Sequence, residues 1–221
     1  MLALSPPPSI PEPPRPAREP AFNIPAATGA LIAVNVLVHL LRYFLLSPDQ
    51  DDALVGVLGF NPANLSHLFS GATLLSLLTY QFVHGGWDHL AVNMLTLLAL
   101  GPGLERPLGR VRFLAIYFLT GIAGALIEAV LTPAGDDDLL IGASGSISGV
   151  FGALIVVWGF HRRGRRPLGL VRMALLWSVL MAVTGILGVG ANGPVAWIAH
   201  IGGFIAGIAL AFVVRPRPRT L

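Results

Sequence analysis

The chain has 221 residues, of which 54% are hydrophobic and only 11% charged, and its formal net charge is +3. A soluble domain carries about a quarter charged residues, so lipid is the expected solvent for most of this surface, and so small a positive charge excludes nucleic acid as an expected partner. With no cysteine, disulfides, thiolate nucleophiles and thiolate metal sites are excluded as well.

The chain opens "MLALSPPPSIPEPPRPAREPAFNIPAAT", of which residues 1–25 are taken as a tail. They lack the apolar core of a signal peptide and read as a disordered, proline-rich cytoplasmic tail. Six segments then reach the roughly 20 mainly apolar residues that a crossing needs. They are 26–46, 86–104, 110–132, 143–160, 168–187 and 195–214, broken at "SPDQDD", "PGLERPLGR", "PAGDDD", "HRRGRRP" and "GVGANGP". Between the first two, "NLSHLFSGATLLSLLTYQFV" mixes Leu and Phe with Ser, Thr and His. It is expected to lie along the outer interface rather than cross. Residues 26–214 thus form one membrane domain, followed by a basic cytoplasmic tail, 215–221. The fold class is an all-α membrane bundle of six transmembrane helices. With the N-terminus inside, every arginine except Arg42 falls on the cytoplasmic side, while Asp49, Asp51, Asp52 and Asp136 to Asp138 fall outside. That asymmetry places both termini in the cytoplasm.

Polar residues inside spans are costly, so their depths are informative. Measured from the basic flanks at the rise of a helix, Ser144 lies ~26 Å from His161, His200 ~22 Å from Arg215, and His89 and Asn93 ~26 Å and ~20 Å from Arg106. In a core ~30 Å thick, all four fall in one layer just below the outer surface. Gly145 and Gly149 make a small-residue ridge on the fourth predicted span, and Ala199, Gly203 and Gly207 one on the sixth. Such ridges let two backbones approach closely. Approach would bring the Ser144 hydroxyl to the His200 imidazole, a base suited to activating it. His89 and Asn93, one turn apart, would join the Ser144 amide as donors to a developing oxyanion. Each residue also has a plainer role: a serine bonding its own backbone, a histidine bridging helices, and glycines that only pack.

Three motifs then line up in order: "HGGWDHLAVNM" (His84 to Met94), "GASGSISG" (Gly142 to Gly149) and "AHIGGFIAG" (Ala199 to Gly207), with "GPGLERPLGRVRFLAIYFLTG" between the first two. On these the chain resembles the rhomboid family of intramembrane serine proteases, over residues 26 to 214. The resemblance implies a six-helix rhomboid-like bundle with a first loop half embedded in the outer leaflet. It makes Ser144 the nucleophile, His200 the general base in a dyad without an acid member, and His89, Asn93 and the Ser144 amide the oxyanion site. Gly142, Gly145, Gly149, Gly203 and Gly207 would pack the site. "GVGANGP" would match the cap over it, beside a fifth helix that admits substrate. Three positions depart from the family pattern. Ser148 stands where an aromatic residue usually packs against the imidazole, a support that Trp197 would have to replace. The Trp-Arg pair of the first loop is missing from "LLSLLTYQF". The Glu-x-Arg pattern appears as Glu105, Arg106, Pro107.

The expected partners are the bilayer and the transmembrane segments of substrate proteins, cleaved where a helix is destabilised by small residues, Gly or Pro. No metal or cofactor is expected. His84, Asp88 and His89 form a metal cluster only on paper, and Asp88 suits the start of a helix. Glu128 reaches the same layer as the dyad, where it could orient His200, although solvation at a helix end is the favoured expectation. Asn35 and His39 share a face of the first helix and are expected to bind neighbouring helices. The expected location is a bacterial cytoplasmic membrane. Two rivals stay open: a transporter, which the lack of a carboxylate chain across the bilayer disfavours, and a catalytically inactive rhomboid relative acting as an adaptor for membrane proteins.

Overall fold

A computed structural model of the chain describes residues 23–131, 138–161, 172–173, 175–177, 179 and 196–214. Among them the regular structure is helical, with α1 Ala26–Leu45, α2 Pro48–Leu58, α3 Gly71–Thr79, α4 Trp87–Leu108, α5 Arg110–Leu131, α6 Ser144–His161 and α7 Trp197–Val213. Two of these, α1 and α5, are long and apolar enough to cross a membrane by length and composition, and the apolar runs of α6 and α7 are shorter. The expected fifth span lies outside the described residues, apart from helical positions between 172 and 179. The expected cap and both tails, from Asn23 and Val214 outward, lie outside them too.

One expected break falls at the far end of its stretch rather than at residue 104. The "PGLERPLGR" stretch does not end the second helix at residue 104, because α4 runs through Pro102 and Pro107 to Leu108. Proline removes one backbone bond, but neighbouring helices tolerate the loss inside a membrane bundle. The helix stops instead at Gly109, whose φ of 80° only glycine adopts freely. A tight reversal then starts α5 one residue later.

The centre is α5, α6 and α7, with α4 packed on α6 and α1 packed on α4. Gly203 sits on the Gly145 backbone and Gly207 on that of Gly149, so that a methyl group at either position would overlap main chain. On the other face of α6, Gly149 takes the Thr120 side chain of α5. Both helices of the α6–α7 pair run in the same direction, and contacts at successive turns fix their register.

At the end of the bundle where α4 finishes, Glu105 is buried and accepts hydrogen bonds from the Ala27 N–H (2.9 Å), the Thr28 N–H (2.7 Å) and the Thr28 hydroxyl (2.8 Å). These are first-turn donors of α1, which has no side-chain cap of its own, and a carboxylate satisfies both their hydrogen-bonding and their partial positive charge. Arg106 donates to the Asn23 carbonyl (2.6 Å) beside it. At the far end of α1, Arg42 is buried, pairs with Asp51 of α2 through both carboxylate oxygens (2.7 and 2.9 Å) and donates to the His84 carbonyl (3.0 Å).

The segment between α1 and α4 folds into α2, a 3-10 turn at Pro62–His67, α3 and a second 3-10 turn at Tyr80–Phe82. Phe69, Leu74, Leu75 and Leu78 point outward, whereas Tyr80 and Gln81 are fully buried. Gln81 accepts from the Ser146 hydroxyl of α6 (2.7 Å), and Tyr80 donates to the Gly121 carbonyl of α5 (2.7 Å). The burial that raises the Tyr80 phenol above its ordinary range keeps it a donor.

Candidate active site

Ser144 is the first residue of α6. A first-turn amide has no carbonyl four residues back to bond, so the Ser144 N–H stays with the positive end of the helix dipole. The approach to it is pinned from both sides. Phe60 and Leu140 exchange two backbone hydrogen bonds (3.1 and 2.8 Å), and the Gly142 N–H donates to the Tyr80 carbonyl (2.9 Å). Gly142 has φ 110°, and a Cβ placed there would lie 2.7 Å from His89 Nε2. Two independent constraints therefore demand glycine, one conformational and one steric.

His200, on the first turns of α7, brings Nε2 to 2.6 Å from Ser144 Oγ. Ser144 is half-buried and His200 is 7% exposed. For Nε2 to accept the serine proton, the ring hydrogen must sit on Nδ1. That nitrogen is buried with no hydrogen-bond partner among the described residues, so no third group on the ring holds the tautomer.

His89 occupies the first turn of α4, and its Nδ1 accepts from the Gly85 N–H (3.4 Å). In the neutral ring this leaves the hydrogen on Nε2, the nitrogen that faces Gly142 two residues before Ser144. Asn93 is buried one turn on, where its Nδ2 donates to the His89 carbonyl (2.9 Å). One amide hydrogen is thus spent within α4, and the second remains. The His89 ring packs edge-on against His84, with centroids 5.1 Å apart. His84 is fully buried, and burial first, then its histidine neighbours, push its imidazole down to about 3. No group of three or more His, Asp or Glu among the described residues could hold a metal.

The other polar residues are distributed as follows. Glu128 is not solvated at a helix end: it is 9% exposed, and its Oε2 accepts from the Ala199 N–H of α7 (2.6 Å). The ridge of Gly121, Gly124 and Ala125 carries this side of α5 so close to α6 and α7 that the carboxylate is drawn inward. Asp88 is exposed in the first turn of α4. Asn35 donates back to the Leu31 carbonyl of its own helix (2.8 Å), and His39 packs edge-on against Trp87 (4.6 Å). Ser148 is fully buried, and its hydroxyl has no partner among the described residues. Trp197 is exposed and makes no ring contact with His200 among the described residues. Sequence reading missed the Phe60–Leu140 bridge and the burial of Tyr80 and Gln81. Nothing in "GFNP" or "LLIG" marks a two-residue pairing across so long a separation.

The arrangement juxtaposes an alcohol and a base beside a helix-terminal amide and an imidazole N–H. That is the equipment of acyl transfer. A family model described as Rhomboid domain matches residues 71–217. Among similar proteins, RHOMBOID-like protein 5 of Arabidopsis thaliana is 33% identical over 147 residues, covering 65% of this chain and 45% of that protein. RHOMBOID-like protein 6, mitochondrial, of the same plant is 27% identical over 195 residues, covering 84% and 60%. Rhomboid protease GluP of Bacillus subtilis (strain 168) is 31% identical over 177 residues, covering 80% and 33%. The chain therefore spans between about a third and three fifths of the length of these relatives.

Proposed function

This chain belongs to the rhomboid family of integral membrane proteins, and on that premise we propose that it is an intramembrane serine endopeptidase. Its substrates are other membrane proteins, cut in or near their transmembrane segments. The observation that carries this reading is the 2.6 Å approach of Ser144 Oγ to His200 Nε2 beneath the first turn of α6.

In the proposed reaction Ser144 Oγ attacks the scissile carbonyl carbon as its proton passes to His200 Nε2. The developing oxyanion takes hydrogen bonds from the Ser144 N–H, from His89 Nε2–H and from the free amide hydrogen of Asn93. Collapse breaks the C–N bond, and the imidazolium returns its proton to the leaving amine. Water activated by the neutral His200 then hydrolyses the acyl-enzyme ester. A helical substrate hides its carbonyls in backbone bonds, so its scissile stretch must unwind first, and small residues with a nearby Gly or Pro ease this. No metal or cofactor has a part.

Around this chemistry we place six crossings, at 26–46, 86–104, 110–132, 143–160, 168–187 and 195–214, with the second helix continuing to Leu108 on the inner side. The arginine asymmetry puts both termini, with tails 1–25 and 215–221, in the cytoplasm. The outward Phe69, Leu74, Leu75 and Leu78 support a first loop seated in the outer leaflet. A bacterial cytoplasmic membrane is the proposed location.

The Ser148 hydroxyl, one turn after Ser144 and buried without a partner among the described residues, favours one rival, an inactive relative that binds membrane proteins without cutting them. A fluorophosphonate probe separates the two. Labelling of the purified chain that Ser144→Ala abolishes, with parallel loss of cleavage of transmembrane reporters, supports the protease. A native chain inert to the probe while a related protease reacts selects the adaptor.

A further inference from the structure

The base of the proposed dyad is held at one nitrogen only. His200 Nε2 meets Ser144, and Nδ1 is buried without a partner among the described residues. The placement of the ring therefore falls to the backbone of α7. That helix begins at Trp197, and Ala196 before it supplies no side-chain cap. Its first-turn donors need acceptors from elsewhere. One comes from a different helix: Glu128 Oε2 lies 2.6 Å from the N–H of Ala199, the residue before His200.

The rest of α5 fits the same place. Gly124, one turn earlier, backs onto the Ala199 carbonyl, and Ile127 fills the space beside Gly202. Ala199, the residue preceding His200, is thus held at its N–H by Glu128, while its carbonyl rests on Gly124. A charged acceptor makes the stronger hydrogen bond, and a carboxylate at a helix N-terminus gains from the dipole as well. We propose that Glu128 is the positioning residue for His200: its carboxylate anchors the first turn of α7 and so holds the imidazole against Ser144, in place of a third group on the ring. The proposal rests on the Ser144–His200 reading above.

The test compares Glu128→Ala and Glu128→Gln with the native chain, using only the monodisperse, folded fraction of each. The readouts are the rate of fluorophosphonate labelling, kcat and KM on a transmembrane reporter, and hydrogen exchange at the first turn of α7. Glu128→Ala should slow labelling and kcat at least about tenfold, as expected when a catalytic group loses alignment, with KM unchanged and faster exchange at 197–200. Glu128→Gln keeps an acceptor oxygen and should recover the native rate to within about threefold. Native labelling by folded Glu128→Ala overturns the positioning role, even if its melting point falls. So does a Glu128→Gln chain as slow as Glu128→Ala. A native chain that does not label at all overturns the dyad reading itself, a result distinct from either.

Discussion

The two ends of the bundle do not treat every buried polar group alike, although Arg42, Tyr80 and Gln81 near the Ser144 end are paired. At the Glu105 end, the carboxylate oxygens accept three hydrogen bonds from the start of α1. At the Ser144 end, His200 Nδ1, the Ser148 hydroxyl and both nitrogens of His39 are buried without partners among the described residues. A satisfied polar cluster fixes one structure, whereas an unsatisfied one costs stability and persists where chemistry needs it. Glu128 belongs to the second end but works by the device of the first, capping a helix from outside.

If the ends divide labour in this way, substitutions should separate activity from stability. Ser144→Ala or His200→Ala should lower reporter cleavage by at least about 10³-fold while moving the melting temperature in detergent little. Glu105→Ala should do the reverse. Leaving first-turn donors of α1 buried and unpaired costs about 2–4 kcal/mol, seen in unfolding, while labelling per folded molecule stays near native. Equal damage to both readouts would break the comparison.

Gly207→Val tests the region that joins the two ends. The new side chain overlaps the Gly149 backbone, so α6 and α7 must separate, at about 1–3 kcal/mol, and cleavage should fall together with stability. The last test concerns acid. The buried His84 stays neutral down to about 3 in the folded chain, whereas an unfolded one protonates near 6.5. Its contribution is present above about 6.5 and is lost as pH falls toward 3, at no more than ~1.4 kcal/mol per pH unit. His84→Phe should flatten the acid limb of a stability profile. An unchanged limb would assign acid sensitivity to other groups.

Much of the scaffold was legible because lipid imposes a length rule. The expected 26–46 and 110–132 are helices at Ala26–Leu45 and Arg110–Leu131, and the starts of α6 and α7 fall within two residues of expectation. The depth ruler also selected Ser144 and His200, whose side chains the structure brings together. Where it failed, the missing information was azimuthal. Glu128 was assigned the right depth and the wrong direction, although Gly121, Gly124, Ala125 and Glu128 repeat at helical spacing on one buried face. The second span was ended at residue 104, short of Leu108, because a polar, proline-containing stretch was read without the neighbours that compensate it.

The groups around Ser144 are gathered from remote parts of the chain, and His200 emerges last. Synthesis proceeds from the N-terminus, so Phe60, Tyr80 and His89 are in place to receive Leu140 and Gly142 before any base exists. Until α7 inserts and seats its glycines on α6, the hydroxyl of the half-built polypeptide remains an ordinary alcohol. On the proposed dyad, a newborn copy would gain its reactivity only once that last helix is seated.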